Sequence, residues 1–234
     1  MLDFDKINIR KEKMENLKEK IEYYNHQIFD NEEKRKQNNE KPFKIIQGEI
    51  PIILSAPHCV KQTRNGKMKQ AEGETGAIVQ IIAKDTKCYA IYKTYNKNDD
   101  ANYDIENNLY KQELSNLINQ KQIKLLIDIH GAKNENKFDI EIGTNDGKNI
   151  ENKGYIVKEL KEILLKQKIK NIVKNVKFKA SSMHTISKYI HEKTKIPCIQ
   201  LEITGRYRYI ENIDGIEKLI NGIEQFIKKI EEIY

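Results

Sequence analysis

The 234 residues carry 38% hydrophobic content, enough for one full α/β core and not requiring a second. The net charge is +7, but 42 basic residues are interleaved with 35 acidic ones, as on solvated faces, and no aromatic-and-basic alternation builds a stacking platform; nucleic acid is therefore not the expected partner. The three cysteines form no C-x-x-C pair, no charged-then-apolar leader opens the chain, and no apolar run nears the ~20 residues of a membrane span, so a reduced, cytoplasmic protein without a membrane segment is expected.

Residues 11–37 are highly charged, with Met14, Leu17, Ile21, Tyr24 and Ile28 spaced by three and four. This predicts an amphipathic helix whose narrow apolar stripe packs on the domain or on a partner subunit of a homo-oligomer. A polar break over 37–41 separates this extension, residues 1–41, from an α/β domain over 42–234. Residues 43–47 and 52–55 read as two strands, the second running into Ala56-Pro57-His58. A polar loop over 59–74 then delivers Glu72 and Glu74 to a helix over 75–84, with Thr75 as its cap. Capping the helix dipole is the plain explanation of both acids.

Residues 88–94 predict a strand, 96–104 a polar loop rich in turn-forming residues, and 105–119 a helix. The stretch Leu125-Leu126-Ile127-Asp128-Ile129-His130-Gly131 reads as a strand buried on both faces, ending in a histidine where open α/β sheets place their chemistry. Asp128 shares the side of the strand that carries His130 and is placed to orient its imidazole or answer a nearby cation. A core histidine satisfied by a carbonyl is the equal alternative. Strands follow at 138–143, 169–179 and 196–203, with helices at 152–167, from Ser181-Ser182-Met183-His184 to about 193, and at 214–233. The alternation predicts an α/β domain with a mainly parallel or mixed sheet flanked by helices.

Three strand ends thus carry His58, His130 and Glu202, a helix start carries Glu72 and Glu74, and Arg206 and Arg208 follow Glu202. Two imidazoles and a carboxylate make a standard ligand set for one zinc ion with an open position, with a carboxylate left over as base and a guanidinium for an anionic substrate. The motifs Ser55-Ala56-Pro57-His58, Glu72-Gly73-Glu74-Thr75-Gly76, Asp128-Ile129-His130-Gly131 and Gln200-Leu201-Glu202-Ile203 with Arg206 resemble, in order, those of the N-formylglutamate amidohydrolase family, within the zinc carboxypeptidase-like hydrolases. The resemblance implies that His58 and His130 ligate one Zn²⁺ with Glu72, or alternatively Glu74, as the acid ligand. It makes Glu202 the general base, Arg206 the catalytic clamp on the substrate carboxylate, and Asn102 a substrate contact; Arg208 and His184 are further candidate contacts. The implied substrate is a small molecule or short peptide bearing a carboxylate.

Overall fold

Four strands buried along nearly their whole length make the middle of a seven-stranded sheet. The computed structural model describes residues 4–104, 108–151, 153–182 and 184–234. In chain order, α1 (Phe4–Phe29) and α2 (Glu32–Gln37) precede β1 (Phe43–Ile46), β2 (Ile50–Ala56) and a small hairpin, β3 (Gln62–Arg64) with β4 (Lys67–Lys69). Then come α3 (Thr75–Thr86), β5 (Cys88–Lys93), α4 (Leu109–Lys121), β6 (Leu125–Ala132) and β7 (Ile140–Gly143). The chain closes with α5 (Gly154–Lys166), β8 (Ile172–Lys174), α6 (Ile186–Thr194), β9 (Cys198–Thr204) and α7 (Ile213–Glu231). The sheet order is β1-β5-β2-β6-β9-β7-β8. Strands β5, β2, β6 and β9 are mutually parallel, and β1 and β7 run antiparallel to their inner neighbours. The predicted mixed α/β domain with a helix ahead of it is therefore the observed architecture.

Strand alternation splits the core in two. Ile52, Leu54, Ile127, Ile129, Leu201 and Ile203 face the layer built by α1, α3, α5 and α7, while Ile53, Leu126 and Cys198 face α4 and α6. Helix α7 shows why a sequence pattern becomes a layer: Ile216, Leu219, Ile220, Ile223, Phe226, Ile227 and Ile230 recur at helical spacing and are all buried. Each such side chain contributes roughly 1.5–3 kcal/mol on leaving water.

The single helix expected over 11–37 is two. Arg35 on α2 turns back to donate to the carbonyls of Ile28 (2.7 Å) and Gln27, satisfying the end of α1. The apolar stripe lies on this same domain: Ile21 and Ile28 are buried, and Arg10 and Lys13 pair with Asp214 and Glu217 of α7. The polar loop expected over 59–74 contains the β3–β4 hairpin, whose turn residues Asn65 (φ 50°) and Gly66 (φ 72°) supply the positive angles a two-residue turn needs. Of the strand expected over 169–179 only β8 forms. Beyond it the chain leaves the sheet because one oxygen of buried Glu141 accepts the backbone N–H groups of Val176, Lys177 and Phe178, each at 2.7 Å. The predicted starts at 105 and 152 lie outside the described residues, as does Met183.

Glu141→Ala is expected to leave those three amides without their acceptor. The cost should be at least about 1–3 kcal/mol in urea unfolding, with faster hydrogen exchange at 176–178 than in the rest of the sheet. Unchanged exchange there would mean that the loop is held by other contacts.

Candidate metal centre

The parallel register of β6 and β9 sets Asp128 beside Gln200 and His130 beside Glu202. By alternation all four side chains leave the face that carries Leu126 and Cys198. His58 follows the carboxyl end of the adjacent β2. Glu72 comes from far along the chain: the hairpin folds the intervening loop back until the Glu72 N–H donates to the His58 carbonyl at 2.8 Å. Thr75 Oγ1 donates to the Glu72 carbonyl at 2.7 Å, and buried Arg208 reaches across to the Gly73 carbonyl (2.5 Å) and the Ile203 carbonyl (3.3 Å). A Cβ on Gly131 would lie 2.7 Å from the Arg208 guanidinium carbon, so any larger residue there would push the Arg208 clamp aside.

The resulting cluster is tight. Glu72 Oε1 lies 2.9 Å from His58 Nδ1, and Oε2 lies 3.2 Å from His130 Nδ1 while accepting the Gly131 N–H at 2.8 Å. The two imidazoles stand edge to face at 4.8 Å. Each is backed by its own carboxylate, His58 Nε2 by Asp100 at 2.8 Å and His130 Nε2 by Asp128 at 3.0 Å. A carboxylate behind each ring fixes its orientation, directs Nδ1 at the centre and strengthens it as a donor. One ligand atom from each of His58, Glu72 and His130 lies within 4.8 Å of the others. The chemistry of this donor set, two nitrogens and one oxygen with outer carboxylates in place, fits a divalent cation.

Charge explains how the cluster survives burial. Desolvation opposes a charged His58, but the Glu72 charge and the hydrogen bonds to Asp100 and Glu72 outweigh it and raise the imidazole to about 9. For His130 burial is likewise overcome, by Asp128 and Glu72, and its value rises well above the ordinary. Glu72 itself is lowered, burial notwithstanding, by the two imidazolium charges. Glu202 goes the other way: burial pushes it up to about 7, with His130 pulling it partly back.

Two lobes open from this centre. One, of about 540 Å³, is lined by His58, Glu72, His130, Gln200, Glu202 and the loop from Lys177 to Ser182; the other, of about 530 Å³, shares His58, Arg64, Glu72 and Gly131 and runs on past Lys69, Lys133 and Tyr209. The structure brings His58, Glu72, His130 and Glu202 together, and places Asn102, His184 and Arg208 in the lining. Asn102 Oδ1 is engaged by the Ile186 N–H at 2.8 Å, at the start of α6. His184 lies tilted against Tyr103, its buried Nδ1 without a partner among the described residues. Glu74 adopts a left-handed conformation (φ 61°) ahead of α3 and does not cap it. Its carboxyl is raised by burial with Arg208 pulling it back, and it stands outside the cluster. Arg206 does not reach the cavity: its Nε pairs with Asp139 (3.1 Å) and its remaining nitrogens with the carbonyls of Asn134, Asn136 and Phe138.

Sequence reasoning passed over Asp100, Arg64 and Gln200. Asp100 sits in a loop whose composition signals only turns. Gln200 donates to Glu202 Oε1 at 2.9 Å and was open to the alternation rule that paired Asp128 with His130. Arg64 Nε donates to Asp100 Oδ2 at 2.8 Å, and its guanidinium lines both lobes.

No protein-family model matches this chain and no curated protein is similar to it in sequence. Among solved structures, gene product Atu2144 from Agrobacterium tumefaciens superposes with a TM-score of 0.61 at 10% identity, over 85% of this chain and 97% of that one. A bacteriophage poly-γ-glutamate hydrolase gives 0.48 at 14% identity over 86% and 95%, and a metallo-carboxypeptidase from Burkholderia cenocepacia gives 0.48 at 10% over 81% and 66%. Likeness at such identities is one of fold.

Both imidazoles are raised and must shed a proton before they can ligate, so cation binding is expected to release close to two protons per ion at pH 7, and affinity should climb with pH, the His58 step falling near 9. Calorimetry of Zn²⁺ binding in buffers of different ionisation enthalpy measures this. Proton release near zero would contradict protonated, Glu72-paired histidines.

Proposed function

We propose that this protein is a metal-dependent hydrolase of an amide bond in a substrate bearing carboxylates. The observation that carries it is the convergence of His58 Nδ1, His130 Nδ1 and Glu72 at the floor of a cavity, with Glu202 beside His130 in register and not consumed by the cluster. His58, Glu72 and His130 would hold one cation, and Zn²⁺ suits that donor set. The cation would supply Lewis acidity, polarising the amide carbonyl and making water nucleophilic near neutral pH.

The remaining steps belong to the chain's own residues. Glu202, held near neutrality by burial, accepts a proton as water oxygen bonds to the carbonyl carbon, then returns it to the amide nitrogen as the C–N bond breaks. Gln200 engages one oxygen of that carboxylate and leaves the other for the proton. Arg64, anchored by Asp100 and stacked over Tyr103 at 4.7 Å, is the guanidinium placed to hold a substrate carboxylate, the role that Arg206 cannot fill while bound to Asp139. The ordered motifs resembling N-formylglutamate amidohydrolases support N-formylglutamate, other N-acyl amino acids and short acidic peptides as substrates to assay.

Glu202→Gln is expected to keep the fold and the bound cation while lowering hydrolysis of such amides by about 10²–10⁴-fold. Full activity in that variant would overturn the mechanism, and loss of folding would reassign Glu202 to a structural role.

A further inference from the structure

The two lobes differ in origin and agree in sign. Among the described residues, Glu72 and Glu202 at the centre are the only acidic side chains lining either one, whereas Lys177 and Lys179 line the first, Lys69 and Lys133 the second, and Arg64 both. Arg64 is anchored by Asp100, but the lysines are not spent on strong partners. Lys179 has a loose 3.7 Å pair with the exposed Asp146, Lys177 donates to Asn136, and Lys69 and Lys133 form no ion pair among the described residues. Beyond the four shared residues the linings are disjoint, so a bound chain has room on each side of the bond being cut.

The aromatic groups of the groove point to the kind of polyanion. Tyr103 is covered by Arg64 (4.7 Å), Phe178 by Lys177 (5.0 Å) and Tyr209 by Arg208 (4.4 Å). With its rings already faced by the protein's own cations, the groove has carboxylate-binding charge and lacks the free stacking platforms that single-stranded nucleic acid uses.

We propose that the groove takes a carboxylate-rich polypeptide and cuts it at internal amide bonds, with acidic residues held by lysines on both sides of the scissile bond. This rests on the amide-hydrolase reading above. Each cut adds one water across the amide and leaves a new carboxylate on one fragment and an amine on the other.

The probes are poly-L-glutamate in α and γ linkage and N-acetylglutamate, assayed with the Zn²⁺-loaded protein and the double variants Lys69→Gln/Lys133→Gln and Lys177→Gln/Lys179→Gln. Early products of intermediate length are expected. Each double variant should shrink the kcat/KM advantage of polymer over N-acetylglutamate by roughly two- to fivefold, the weight of one or two exposed ion pairs, and flatten its salt dependence. Release of single residues from one end at first turnover, or an advantage unmoved in both variants, would overturn the proposal. Binding of labelled poly-L-glutamate to the Glu202→Gln variant gives a readout independent of turnover. Salt-sensitive binding that weakens with the lysine changes supports the groove even if no amide is cut, an outcome that would remove the hydrolase reading alone. No binding, or tighter binding of an oligonucleotide of equal charge, would remove the groove assignment.

Discussion

The Glu72 carboxylate between two imidazoles is the interaction on which the local structure depends. Charges taken out of water are tolerated only when paired and hydrogen-bonded, and removing one partner of such a pair typically costs about 3–5 kcal/mol. Here His58, His130 and the Gly131 N–H all converge on Glu72, and Asp100 and Asp128 close the outer ends of the rings. The carboxylate has to be delivered from outside the sheet. The hairpin, the Glu72-to-His58 backbone bond and the Arg208 clamp on Gly73 make that delivery. A divalent cation would take the place of the protons that now hold these groups together.

Around that cluster the sheet acts as a ruler. One residue of slip between β6 and β9 would turn Asp128 and His130, or Gln200 and Glu202, to the opposite layer, among Ile127, Ile129 and Leu201. Both strands are otherwise near-continuously apolar and buried on two faces, so these four polar side chains, accommodated on one face alone, are what fix the register. Glu202 owes its raised value to the same burial, so packing and acid–base character arise from one cause.

Much of this was legible in the sequence because it follows from period-two alternation and from strand ends. The residues of β6, the pairing of Asp128 with His130, and the positions of His58 and Glu202 after or within apolar runs all come from local pattern. What stayed hidden depends on distant groups. Asp100 matters only because the loop after β5 passes behind His58, and nothing in its neighbours says so. Arg206 looked available because it follows Glu202 closely, yet Asp139, just ahead of the adjoining strand β7, takes its charge. The expected long strand ended at Lys174 because Glu141, on a neighbouring strand, captured the amides of Val176, Lys177 and Phe178. The Asn65-Gly66 turn, like Gln200, was a local signal that pattern reading passed over.

The proposed cation site stands on Glu72, and not on its near neighbour Glu74, beside the two histidines. Metal content of the purified protein and of Glu72→Gln and Glu74→Gln, measured by mass spectrometry after equilibration with limiting Zn²⁺, tests it most directly. Close to one ion per chain is expected in the parent and in Glu74→Gln, with loss of stoichiometric metal in Glu72→Gln. Retention in Glu72→Gln with loss in Glu74→Gln would contradict it.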